Sequence, residues 1–207
     1  HLEALVNEGR ILFPLLEKFE DFYLAGGTAL ALQVGHRVSV DFDLFCNQKI
    51  QKSLLAKVKG VFVGKDVSIS IDNEDELTVF VEGVKLTFLH YPYPPKKSLV
   101  HINDLRVLSP EEIAATKAYT IGRRGALKDY IDLYFILKEK LSNLEEIIKL
   151  AENKFGGDFN SRLFVEQLIY LDDVENSGII FLKIKVSKDE LLDFFTDEIK
   201  KLTLSRN

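Results

Sequence analysis

The stretch GGTALALQVGHRVSVDFDLF, Gly26 to Phe45, sets two aspartates, Asp41 and Asp43, into an otherwise apolar alternation. Successive strand residues point to opposite faces. An extended RVSVDFDLF therefore places Arg37, Ser39, Asp41 and Asp43 on one face, and Val38, Val40, Phe42 and Leu44 on the other. The second set is ordinary core. Same-face Cα atoms lie about 7 Å apart along a strand. Two carboxylates at that spacing can converge on one hard cation, or on a pair about 3.5–4 Å apart. Mg2+ takes such oxygen donors and completes its shell with water and phosphate oxygens. Without compensation, two neighbouring acids in an apolar run are costly to bury.

Just upstream, FYLAGG reads as a short buried strand ending in a glycine turn, and TALALQVG as a short helix. Thr28 is the expected N-cap and Gly35 the expected stop. Backbone amides at a helix start cradle phosphate, and glycine lets the backbone come close. A lone GG is most often only a turn, and a strand with two acids is often only a solvated edge. A GG helix start followed by D-x-D is more specific, because one element offers anion-binding amides and the other metal ligands. The pair suits a nucleoside triphosphate with Mg2+.

The 207 residues are 46% hydrophobic and 29% charged, the balance of a globular chain with a real core. No apolar run is long enough to span a bilayer. The first residues, HLEALVNEGRILFPLLEKFEDF, carry acids throughout, unlike a signal peptide. The single cysteine, Cys46, excludes an internal disulfide and fits a reducing, cytoplasmic setting. A net charge of −5 argues against a global electrostatic grip on nucleic acid. It leaves room for a local basic cluster at Arg123, Arg124 and Lys128.

Residues 2–20 carry leucines, Val6 and Phe19 at helical spacing, with Pro14 as a divider. A helix is expected near 51–59. Four β segments follow in 61–90: VFVG, VSISI, LTVFVEG and VKLTFLHY, with Glu82-Gly83 as a hairpin turn. YPYPPKK opens an extended connector that runs to Val107. From Ser109 the pattern is helical. SPEE supplies Ser109 as N-cap, Pro110 at the first position and Glu112 to close a capping box. Helices follow near 127–139, 142–153 and 160–172, and SKDE at 187–190 opens a last one. The expected organisation is an α/β core over 1–107 and a helical region over 108–207.

A second run, ATKAYTIGRRGALKDYIDLYFIL, places Lys117 in an apolar seam, Arg123, Arg124 and Lys128 in a basic cluster, and Asp129 and Asp132 on one helix face. Surface charge, with acids favoured at a helix start, is the plain reading. His36 is expected to be a hydrogen-bonded structural residue, His90 carries less weight still, and Cys46 has no basic neighbour to mark a nucleophile.

Residues 23–45 resemble the signature of the DNA polymerase β-like nucleotidyltransferase superfamily, GG or GS followed by D-x-D. More closely they resemble the AbiEii/AbiGii toxin branch, whose members carry GGTAL and then H-R-x-S-x-D-x-D. That branch also has K-x-x-A, an arginine and K/R-D-x-x-D-L, matched by Lys117, Arg123 or Arg124, Lys128, Asp129, Asp132 and Leu133. The resemblance implies an α+β fold, with a small mixed sheet and helices followed by a helical region that completes the active-site cleft. It implies Mg2+-dependent transfer of a nucleoside monophosphate from an NTP to an acceptor hydroxyl, with Mn2+ able to replace Mg2+. Gly26, Gly27 and Thr28 would hold the triphosphate, Arg37 and Ser39 its oxygens, and Asp41 and Asp43 the metal. Lys117, Arg123 and Arg124 would contact nucleotide, and Asp129 or Asp132 would support catalysis or hold the basic groups. A tRNA end is the implied acceptor and a cognate antitoxin the implied partner. Superfamily enzymes usually carry a third carboxylate on a later strand, and Thr87 stands where it is expected. Asp129 or Asp132 then substitutes, or the metal site has two carboxylates, or the chain is a weak or inactive nucleotide-binding module. A protein-interaction component of a toxin–antitoxin pair is the other alternative.

Overall fold

The computed structural model describes residues 1–175 and 178–204, with Arg124 described by its backbone alone. The chain forms two compact units, His1–Ser109 and Pro110–Asn207.

The first unit is built on a seven-stranded mixed sheet. Its strands are β1 (Tyr23–Ala25), β2 (Phe42–Cys46), β3 (Val67–Asp72), β4 (Glu76–Val81), β5 (Val84–His90), β6 (Val100–Ile102) and β7 (Leu105–Val107), in the order β3-β4-β5-β2-β1-β7-β6. β2 runs parallel to β5 and antiparallel to β1, and β7 lies parallel to β1. One face is core. Phe42, Leu44, Leu86 and Phe88 point into it, in register across β2 and β5. The N-terminal segment supplies the opposing rings: Phe19 and Phe22 lie 4.8 and 5.2 Å from Phe88, and Phe13 lies 6.4 Å from Phe42. Burying such rings is among the largest apolar contributions per residue.

That N-terminal segment is not one helix. It breaks into a 3-10 turn at Leu2–Ala4, helix α1 (Asn7–Leu12) and a second 3-10 turn at Phe13–Lys18. Pro14 sits at the start of the second turn, where its missing N–H and fixed φ end the α-helical ladder. Helix α2 (Gly26–Val34) ends at Gly35, whose φ of 67° and N–H bond to the Ala31 carbonyl make the left-handed stop expected of it. Helix α3 (Leu54–Val61) runs through the start of VFVG, so that segment is helix and turn rather than strand, and Phe62 is buried beneath it. The β4–β5 hairpin turns at Glu82 and Gly83, both with positive φ, as a tight two-residue turn requires. The connector after Tyr91 contains two strands, β6 and β7, that the sequence pattern does not reveal. Three residues are too short to show a period, and β7 is held by its pairing to β1, Leu24 opposite Val107.

The second unit is helical: α4 (Pro110–Arg124), α5 (Leu127–Lys138), α6 (Leu144–Phe155), α7 (Ser161–Leu168) and α8 (Lys188–Leu204). Asn143 and Asn160 cap α6 and α7 by accepting from Glu146 and Leu163 N–H groups. The SKDE box forms as written, with Ser187 N–H donating to Glu190 at 2.7 Å and Glu190 N–H to Ser187 Oγ at 3.2 Å. Glu112 on α4 places a carboxylate oxygen 2.6 Å from Lys154 Nζ on α6, with both side chains fully buried. Among the described residues, no helix is long and apolar enough to cross a membrane.

Candidate active site

Residues 37–41 are less regular than strict alternation predicts, and the strand begins only at Phe42. The backbone groups before it are used elsewhere. Ser39 N–H donates to the Ala4 carbonyl at 2.8 Å, and the Asp41 carbonyl accepts the Thr28 hydroxyl. Thr28 also lies 2.7 Å from Ser39 Oγ. Thr28 is therefore not the N-cap of α2. The helix starts two residues earlier, after Ala25, and the Thr28 side chain reaches across to pin the acidic segment.

Asp43 completes this junction. In β2 it stands opposite Ala25 on one side and Thr87 on the other. Gly26, the first residue of α2, has φ +67°, and a Cβ built there would lie 2.6 Å from Asp43 Oδ2. Only a residue without a side chain admits that carboxylate against the helix start. The first-turn amides of α2, which have no partner within the helix, and the Asp43 carboxylate thus meet at one place. Asp41 and Asp43 are both half-buried. Gly26, Gly27, Thr28, Ser39, Asp41 and Asp43 are gathered at this junction. Arg37 is only 5% exposed and donates to the Val38 carbonyl at 3.2 Å. His36 is fully buried.

Beside Asp43 the sheet face continues as a hydroxyl row. Thr87 and Thr78 are opposite one another on β5 and β4, with Oγ1 atoms 3.4 Å apart, and Thr78 donates to Glu76 at 2.6 Å. No group of three or more His, Cys, Asp or Glu side chains able to hold a metal occurs among the described residues. The located donor at the junction is the hard Asp43 carboxylate with the Thr28 and Ser39 hydroxyls in the same segment, and Asp41 two residues before it. It fits a cation such as Mg2+ whose remaining ligands are phosphate oxygens and water.

In the helical unit, Lys117 Nζ lies 2.6 Å from Asp129 and 2.7 Å from Asp132. Burial pushes this lysine down, but Asp132 and Asp129 outweigh it and hold its pKa above the ordinary value. Asp129 also accepts the Ala126 N–H at 3.1 Å, which fixes it at the start of α5. The spacing of KDYID places both acids on one helix face, and the fold aims that face at Lys117. Arg123 is exposed, stacks 4.3 Å from the Tyr119 ring and donates to the Asp158 carbonyl. The Arg124 side chain lies outside the described residues.

Two sequence candidates have structural roles. His90 bonds Asp75 at 2.9 Å, and Lys49 lies 2.6 Å from the same carboxylate. Lys49 and then His90 hold that acid below its usual range. Cys46 is buried and donates to the Gln48 carbonyl, and burial pushes its thiol up, away from nucleophile chemistry. Cys46 also lines a cavity of ≈ 480 Å³ with Lys49, Lys57 and Arg106. Cys46 lies on the opposite face of β2 from Asp43.

A family model described as nucleotidyl transferase AbiEii toxin, type IV TA system, matches residues 10–202. The uncharacterized protein aq_aa25 of Aquifex aeolicus (strain VF5) is 32% identical over 195 residues, covering 87% of each chain. Among solved structures, a candidate nucleotidyltransferase from H. pylori superposes with a TM-score of 0.62 at 23% identity, covering 95% of each chain. The nucleotidyltransferase toxin MenT4, Rv2826c, of Mycobacterium tuberculosis H37Rv gives a TM-score of 0.62 at 15% identity, over 95% of this chain and 84% of its own. Both share the α+β fold of this chain.

Proposed function

Because this chain belongs to the AbiEii family of nucleotidyltransferase toxins, we propose that it transfers a nucleoside monophosphate from an NTP, held with Mg2+, to a hydroxyl at the end of an RNA such as tRNA. The observation that carries the reading is the contact of Gly26 with Asp43, which brings helix-start amides and a metal-binding carboxylate to one point. The α2 amides at Gly26, Gly27 and Thr28 hold the triphosphate. Asp41 and Asp43 hold Mg2+, which when bound neutralises phosphate charge and polarises the α-phosphorus. Ser39 and Thr28 keep the acidic segment in place. The acceptor hydroxyl oxygen bonds to the α-phosphorus and releases its proton to water, the bond to the bridging oxygen of the β-phosphate breaks, and pyrophosphate leaves. Such transfers depend mainly on positioning and charge stabilisation.

Lys117 stays a nucleotide-contact candidate in this reading by the family resemblance alone; within the helical unit Asp129 and Asp132 engage its ammonium. The aspartates act as positioning residues that keep the lysine charged. Arg37, which is buried, and Arg123, which is engaged by Tyr119 and Asp158, are candidates of the same standing. A cognate antitoxin is the partner that the family implies.

The test combines calorimetric titration of NTP with and without Mg2+ and an assay of pyrophosphate release on RNA. Asp41→Asn and Asp43→Asn should each abolish release. Wild-type protein that binds no NTP in Mg2+ would sink the proposal. The second reading, a nucleotide-binding module without transfer, is favoured by Thr87 standing beside Asp43 in place of an acid. It predicts Mg2+-dependent NTP binding and no release.

A further inference from the structure

We infer that Glu76, acting through the hydroxyls of Thr78 and Thr87, orients a water on the metal held at Asp43. It thereby takes the part of the third carboxylate whose place Thr87 occupies. This rests on the nucleotidyl-transfer reading above and deepens it. Asp43 on β2, Thr87 on β5 and Thr78 on β4 stand directly opposite one another, so the three side chains form one row on one sheet face. The row is buried where it leaves Asp43: Thr87 is 8% exposed and Thr78 2%. Glu76 lies two residues before Thr78 on β4 and shares its face. Its carboxylate accepts the Thr78 hydroxyl at 2.6 Å. The hairpin before β4 fixes it there: Glu76 N–H donates to Asn73 Oδ1 at 2.8 Å, and the Glu76 carbonyl accepts the Asn73 N–H at 2.9 Å. Among the described residues no lysine or arginine pairs with Glu76. Its charge is directed at a buried hydroxyl instead.

Counting protons sets the direction of this chain. A hydroxyl has one proton, and an ionised carboxylate only accepts. The 2.6 Å contact assigns the Thr78 proton to Glu76. Thr78 therefore meets Thr87 as an acceptor, and the Thr87 proton spans the 3.4 Å between the two Oγ1 atoms. A contact of that length tightens when a ligand completes the chain. Thr87 Oγ1 keeps only lone pairs for any further partner. It suits a donor and rejects the acceptor-only oxygens of a phosphate. With so little of Thr87 exposed, a bound group rather than bulk solvent meets those lone pairs. Beside Asp43 the donor of that kind is a water on Mg2+, an ion that keeps several of its waters. Groups that hydrogen-bond a metal's ligands fix their orientation and raise affinity. The negative charge stays at Glu76, and two polarised hydroxyls carry its influence towards Asp43. Glu76 is thus a positioning residue that touches neither metal nor nucleotide.

The experiment titrates Mn2+ alone into the full chain by calorimetry. Thr87→Val and Thr78→Val keep the side-chain shape and suit a strand, so the sheet is retained. Each should weaken Mn2+ binding about tenfold, the loss usual for a group that supports a metal's ligand. Glu76→Ala should do the same from two strands away. Thr87→Ser keeps the hydroxyl and should bind Mn2+ like wild type. Glu76→Ala combined with Thr87→Val should lose no more than Thr87→Val alone, because the groups act in series. Additive losses overturn the chain, and so does a loss at Thr87 with none at Glu76. A Thr87→Ser variant as weak as Thr87→Val also overturns it, since packing rather than the hydroxyl would then matter. If wild type releases pyrophosphate while Thr87→Val keeps its full Mn2+ affinity, the chain alone fails. If wild type binds no NTP in Mg2+, the underlying reading fails instead.

Discussion

Replacing Gly26 by alanine separates two costs that the structure places on one residue. The first is conformational. Gly26 has φ +67°, and an L-residue in the left-handed region costs roughly 1–2 kcal/mol relative to glycine. The second is steric. The new Cβ would sit 2.6 Å from Asp43 Oδ2 and 3.5 Å from its Cγ, so either the carboxylate or the helix start must move. Gly83 supplies the control. Its φ is +79°, and a Cβ there meets nothing within 4 Å. Gly83→Ala therefore carries the conformational cost without the clash. For a chain of this size, 1 kcal/mol corresponds to about 2–4 °C in Tm. Gly83→Ala should lower Tm by about 2–8 °C and leave pyrophosphate release intact. Gly26→Ala should lower Tm at least as far and reduce release about a hundredfold, since a displacement near 1 Å at a reacting centre has that effect. Calorimetric titration with Mn2+ should show weaker metal binding in Gly26→Ala only. If Gly26→Ala matches Gly83→Ala in stability and keeps full activity and metal affinity, the contact with Asp43 has no functional meaning.

Three further outcomes follow from the same geometry. Glu112→Gln leaves Lys154 charged in a fully buried site and should destabilise by about 3–5 kcal/mol in urea unfolding, while Glu112→Leu with Lys154→Met should be near neutral; a mild single variant would refute the pairing. Thr87→Asp puts a third acid beside Asp43, so it should lower stability without metal through like-charge repulsion and raise Mn2+ affinity at least tenfold, and unchanged metal affinity would show that Thr87 does not face the site. The contributions of Lys117 and Tyr130 to stability should be constant from neutral pH to about 10 and fall above it. Lys117 has a raised folded pKa, so its contribution is full below the ordinary lysine value and lost as pH rises through the raised one. Tyr130, pushed up to about 12 by burial and Asp129, acts in the same direction, because the unfolded chain loses that proton first. A urea midpoint that holds steady from pH 9 to about 12 would contradict both assignments.

The sequence by itself determined the local elements and the chemistry of the site. The residues of GGTALALQVG specify a helix closed by a left-handed glycine, FDLFC alternates as a half-buried strand, and SKDE writes its own cap. Each depends on interactions within a few residues, and these leave a period or a cap signature in the chain. The D-x-D spacing likewise names a candidate metal site, because chemistry and strand geometry are both local there. Tertiary structure decided which groups meet. Strand β7 exists because β1 offers it an edge. Thr28 left its expected capping role because the Asp41 carbonyl and Ser39 hydroxyl lie across from it. Lys117 became an ion-paired residue, and Glu112 a buried partner of Lys154, because α4 packs against both α5 and α6. Gly26 shows the division most sharply. The sequence marks it as a turn, and the assembled sheet turns it into the one position whose missing side chain makes room for the Asp43 carboxylate. Such contacts join residues far apart along the chain, and no local period encodes them.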